Sequence, residues 1–167
     1  SPRSPGIALG GMRLVIENRP RAYADGTDLA ARANMMSAAA MGATAFQKGL
    51  GAIHEMSHPV GAVVNTHHGT TNAVCMPAVL ELNAPVIAER FDKATGYLGI
   101  EGGFAGFRNF VNEFNESFAI PKGLGDMGVT AERIDDLVAM ALEDPSCGGN
   151  PVELTQENLR GLFEAAM

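Results

Sequence analysis

The spacing of apolar residues constrains the fold of this chain most. They recur every three or four positions along most of its 167 residues and form no convincing alternating run, so helices rather than strands can bury them. Abundant Ala and sparse β-branched residues point the same way. Residues 6–19 set Ile7, Met12, Val15 and Ile16 on one helical pattern, expected to stop before Pro20. Asp28 or Thr27 can cap a second helix running through Leu29, Ala33, Met36 and Ala40 towards Phe46. The joint Gly49-Leu50-Gly51 leads into a histidine-rich segment. A helix starting near Gly69 carries Ala73, Met76, Val79 and Leu80, with Pro77 expected to bend or interrupt it. Asn83-Ala84-Pro85 reads as a break, with Pro near the first turn of the next helix. After Gly102-Gly103, the residues Phe104, Phe107, Phe110, Val111, Phe114 and Phe118 make an aromatic stripe, read as core packing. Thr130 can cap a helix that turns Ile134, Leu137, Val138 and Leu142 inward. Thr155 can cap a last one, with Glu157 favourably placed against its dipole. The expectation is an all-α bundle of about seven helices, a single domain over residues 1–167.

Composition excludes several classes. Net charge is −7 with 12 Lys+Arg and no basic stripe, which argues against nucleic acid as a partner. No segment approaches the ~20 apolar residues that span a bilayer, and no basic-then-apolar leader opens the chain, so no membrane role is expected. Cys75 and Cys147 belong to no C-x-x-C pair and read as reduced thiols of a cytoplasmic protein. Ser1-Pro2-Arg3-Ser4-Pro5 reads as a lead-in loop or an expression scar. The first residue is not Met, and the chain reads as a piece of something longer.

Gly123-Leu124-Gly125-Asp126-Met127-Gly128 spells G-x-G-x-x-G, the dinucleotide fingerprint. That mechanism needs a buried strand before the glycines and a helix opening within them. Phe118-Ala119-Ile120-Pro121-Lys122 is too short and too Pro-broken for such a strand, so the run reads as a helix–helix loop.

The chemistry concentrates elsewhere. All four histidines, His54, His58, His67 and His68, fall within 15 residues. His54-Glu55-Met56-Ser57-His58 spells H-E-x-x-H, two imidazoles one helical turn apart with a carboxylate between. Read as a zinc metalloprotease, His54 and His58 hold the metal and Glu55 is the general base. Gly61 stands in register with the extended form of that motif, but Val64 replaces its third histidine. The missing sheet and Pro59 also count against it. A bland reading, partly buried and satisfied histidines, and a non-catalytic helical module that self-associates stay open beside it.

A wider pattern gives a third reading. Gly51-Ala52-Ile53-His54-Glu55-Met56-Ser57-His58-Pro59-Val60-Gly61-Ala62 is followed by His68-Gly69-Thr70-Thr71-Asn72-Ala73. This resembles the signature of the iron-containing alcohol dehydrogenases, G-x-x-H-x-x-x-H-x-x-G-A and then H-G-x-x-N-A. Glu17-Asn18-Arg19-Pro20-Arg21-Ala22, Ala45-Phe46-Gln47-Lys48-Gly49-Leu50-Gly51, Asn150-Pro151 and Leu154-Thr155 also resemble the family's helical C-terminal half, so nearly the whole chain is covered.

The resemblance implies the C-terminal domain of the dehydroquinate synthase-like fold. It implies an enzyme that interconverts a small alcohol and its aldehyde or ketone with NAD or NADP. It puts a divalent metal, Fe(2+) or Zn(2+), on His54 and His68. It puts His58 beside the nicotinamide, as the cofactor-binding and catalytic residue that positions substrate or passes a proton. His67 stands where many relatives carry Pro; it is a neighbour, or it exchanges roles with His68. Glu55 then has no role. The family also has an N-terminal nucleotide-binding domain, and an Asp and a His four residues apart complete its metal site. Residues 1–53 hold no histidine, so both are expected to be missing here and the isolated chain to be inactive.

Overall fold

The computed structural model describes residues 3–46 and 49–167; Ser1, Pro2, Gln47, Lys48 and the side chains of Arg3, Ser4 and Cys147 lie outside that description. The described residues form seven α-helices, three short 3-10 turns and no strand, the all-α architecture expected. The helices are α1 Arg3–Ala24, α2 Leu29–Ala45, α3 Ala52–Val64, α4 His68–Leu98, α5 Gly103–Ser117, α6 Ile134–Leu142 and α7 Gln156–Ala165. Two compact units are distinguished, one of α1, α2 and Gly96–Gly99, the other of Gly49–Thr95 and Ile100–Met167.

The first unit is a helical hairpin. Gly11 lets α1 approach α2 closely, since a Cβ there would lie 3.3 Å from Met41 Cβ. Buried Asn18 donates to Leu14 O at 2.9 Å and accepts from Asn34 Nδ2 at 2.9 Å, so its burial leaves it paired. Asp28 caps α2 as expected, accepting from the Ala31 amide at 2.9 Å. The buried side of α2 is Ala31 and Ala38, whereas Leu29 and Met36 of the expected apolar run are 77% and 75% exposed. Two expectations fail in α1. Arg3, Ser4 and Pro5 form its first turn, where proline costs no hydrogen bond, rather than a lead-in loop. The helix also continues through Pro20, which is exposed, so water can serve the carbonyl it leaves.

The second unit carries the core. Met56 and Val60 of α3, Val74, Cys75 and Val79 of α4, Leu137, Val138 and Ala141 of α6, and Leu159, Leu162 and Phe163 of α7 pack together. The break expected at Asn83-Ala84-Pro85 does not occur, and α4 runs unbroken through Pro77 and Pro85. Pro77 denies Ala73 O its helical donor, but Asn115 Nδ2 of α5 supplies one at 3.0 Å. Near Pro85, Asn83 and Asn150 clasp each other, with Nδ2-to-Oδ1 distances of 3.0 and 2.8 Å. By length and composition α4 is apolar enough to cross a membrane. One such helix is weak evidence for a span, since a core helix passes the same test.

The phenylalanine stripe packs, but at the periphery. Phe107 and Val111 are buried, and neither belongs to the central cluster. Phe107 meets Phe91 at 4.7 Å between ring centroids. Thr130 gives no side-chain cap to the 3-10 turn Ala131–Arg133 that precedes α6, and Ala141 is buried in place of Leu142, which is 39% exposed. Thr155 caps α7 in a reciprocal box with Asn158. The G-x-G-x-x-G run is a loop, as expected, holding the 3-10 turn Gly125–Met127. Its glycines serve packing: a Cβ on Gly123 would collide with Met167 O, and Gly128 has φ 94°.

Candidate metal centre

The site forms where α3 and the first turn of α4 meet. Gly51 begins α3, and Asn150 Oδ1 accepts from the Ala52 amide at 3.3 Å, fixing the helix two residues before His54. At the other end Asn65 takes the left-handed conformation, φ 53°, and ends α3. The chain then reverses within three residues, so that α4 begins on His68. Thr71, fully buried, hydrogen-bonds Thr66 Oγ1 at 2.7 Å and donates to the His67 carbonyl at 3.1 Å, which braces the reversal.

Three imidazoles come together. Ring centroids lie 5.6 Å apart for His54 and His58, 5.3 Å for His54 and His68, and 5.5 Å for His58 and His68. Asn72 Nδ2 stands 3.1 Å from His68 Nε2 and 3.5 Å from His54 Nε2. An amide nitrogen only donates, so both Nε2 atoms accept and aim lone pairs at one locus. Asn72 Oδ1 on the far side of that amide is buried without a hydrogen-bond partner. Burial above all, then the charges His68 and His58 would carry, push the His54 imidazole below its usual value; Asp144 opposes them. Neutral imidazole is the metal-binding form.

His58 is held differently. Its Nδ1 lies 2.8 Å from Asp144 Oδ2, on the turn after α6. Asp144 Oδ1 in turn accepts from the Ser146 amide at 2.8 Å. Burial pushes the Asp144 carboxyl up, but hydrogen bonds from Ser146 and His58 outweigh it and hold the group below the usual carboxylate range.

His67 does not join the three. Its Nδ1 faces the Thr70 amide at 3.3 Å, at the start of α4. Glu55, the base of the protease reading, is completely buried in the α3 face that meets the core, with no surface to offer a metal-bound water. Among the described residues no three His, Cys, Asp or Glu form a metal-holding group. His54 and His68 offer two nitrogen donors of the kind divalent metals take, short of the three or four protein ligands of a stable site.

Sequence reasoning missed two members. Asn72 stands in the H-G-x-x-N-A run without a role assigned to it, and its amide position was not signalled. Asp144 precedes Pro145 and Ser146, a turn signal, but nothing local ties it to a histidine 86 residues away.

Comparison with known proteins follows the same lines. The profile of the Fe-containing alcohol dehydrogenase family, C-terminal region, matches residues 2–167. The chain is 39% identical over 176 residues to 4-hydroxybutyrate dehydrogenase of Cupriavidus necator, covering 100% of this chain and 46% of that one. It is 34% identical over 175 residues to NAD-dependent methanol dehydrogenase of Bacillus methanolicus, again 100% and 46%. A crystal structure of 1,3-propanediol oxidoreductase superposes with a TM-score of 0.94 at 27% identity, covering 100% of this chain and 46% of that one. The chain thus spans about half the length of the relatives it matches.

Proposed function

We infer the function of this chain from the family to which it belongs, that of the Fe-containing alcohol dehydrogenases, whose C-terminal region it matches. It is proposed to be the metal-binding part of an NAD- or NADP-dependent enzyme that interconverts a small alcohol and its aldehyde or ketone. The observation that carries this reading is the convergence of His54 Nε2 and His68 Nε2 on one amide nitrogen, with His58 beside both.

In the proposal His54 and His68 bind Fe(2+) or Zn(2+). When bound, that metal supplies a Lewis acid for the alcohol oxygen and the nicotinamide supplies the hydride acceptor. His58 lies next to the metal pair and gives the alcohol proton a place to go, at Nε2, because Nδ1 is engaged by Asp144. The relatives act on substrates as unlike as methanol and 4-hydroxybutyrate, so the class is alcohols at large. The remaining ligands and the nucleotide site are assigned to sequence of the kind that occupies the other half of those relatives.

Two assays test this. The chain alone with Fe(2+), NAD(P) and primary alcohols is expected to give no turnover. A chimaera of the other half of the Cupriavidus relative with this chain is expected to reduce NAD on an alcohol, and His54→Ala with His68→Ala to abolish it. A folded, cofactor-binding chimaera that ignores every alcohol would contradict the proposal.

A further inference from the structure

We propose that Asp144 is a positioning residue, which fixes His58 as the Nδ1–H tautomer and so keeps Nε2 as a proton acceptor at the metal centre. The inference rests on the proton role given to His58 above. Asp144 is on the turn after α6 and 86 residues from His58 in sequence, and its side chain is only 12% exposed. Both carboxylate oxygens are in use. Oδ1 takes the Ser146 amide at 2.8 Å, and Oδ2 faces His58 Nδ1 at 2.8 Å. An ionised carboxylate accepts only, so the proton between Oδ2 and the neutral imidazole sits on Nδ1. Nε2 is then the one ring nitrogen with a lone pair. His58 stacks on His68 at 21° between ring planes, so this orientation is shared with a proposed metal ligand.

Asp144→Asn changes this arrangement in a defined way. The asparagine amide has one acceptor oxygen and one donor nitrogen. Its oxygen is claimed by the Ser146 amide, which otherwise stays without an acceptor in a partly buried turn. Its nitrogen then faces His58 Nδ1 as a donor, and the ring must answer by moving its proton to Nε2. The same logic explains why the orienting aspartate of a serine-protease triad cannot be replaced by asparagine.

The test is imidazole nitrogen NMR on the metal-free chain at alkaline pH. The expected result is His58 predominantly Nδ1–H in the wild type and predominantly Nε2–H in Asp144→Asn, with the helical signal retained. A wild-type His58 that is Nε2–H would overturn the proposal, and that result stands even where the variant does not fold. A folded variant with an unchanged tautomer would overturn it too. Because the readout needs neither metal nor cofactor, it succeeds or fails separately from the dehydrogenase reading.

Discussion

Asp28 shows how much one side chain carries in this fold. Its Oδ1 caps α2 through the Ala31 amide at 2.9 Å, and its Oδ2 takes Arg21 Nη2 at 2.7 Å across the turn from α1. The Ala31 amide above all, with burial opposing and Arg21 assisting, holds the carboxyl below its usual range. A carboxyl depressed in the folded state contributes stability that is present above its unfolded pKa of about 3.9 and lost as pH falls through the folded value. Asp28→Ala is therefore expected to lower the melting temperature at neutral pH, and the gap to wild type to close as pH drops below about 4. Thermal melts across that range check it; a gap independent of pH would point to packing instead. The cap was legible in the sequence because Ncap chemistry is local. The Asp144–His58 pair was not, because a contact across 86 residues leaves no local pattern.

At the scale of the element, the prolines separate what sequence spacing can and cannot decide. Spacing marks α1, α2, α5 and the first part of α4 but not α3, and it ends α1 at Pro20 and divides α4 at Pro85, where the helices continue. The missing information is who serves the carbonyl that each proline abandons. For Pro77 the answer is Asn115 Nδ2 of α5, 3.0 Å from Ala73 O. Asn115→Ala is expected to cost about 1–2 kcal/mol by orphaning that carbonyl. In a Pro77→Ala background the restored N–H can take its place, so the same change should cost clearly less. Denaturant unfolding of the four proteins measures the coupling; equal costs in both backgrounds would show that the amide does not compensate the proline. A similar lesson holds for the aromatic stripe. Its period placed it on one helix face, yet Phe107 lies outside the central cluster, because period does not say which face finds the core.

At the scale of the molecule, the chain belongs to its family by the whole of its length and by about half of its relatives'. Two imidazoles from adjacent helices aim at one point, a third stands beside them oriented from a distant turn, and the clasp of Asn83 and Asn150 fixes the start of α3 beneath them. The histidine signature made the first three legible, while Asn72, Asp144 and the clasp emerged only from the packing. The measurement that bears most directly on this reading is an anaerobic titration of the chain with Co(2+) as a paramagnetic stand-in for Fe(2+), followed by NMR of the histidine rings. One site per chain is expected, weak because it is open, broadening His54 and His68 first and lost in His54→Ala with His68→Ala. Binding that survives loss of both imidazoles, or no effect on either ring at millimolar metal, would contradict it.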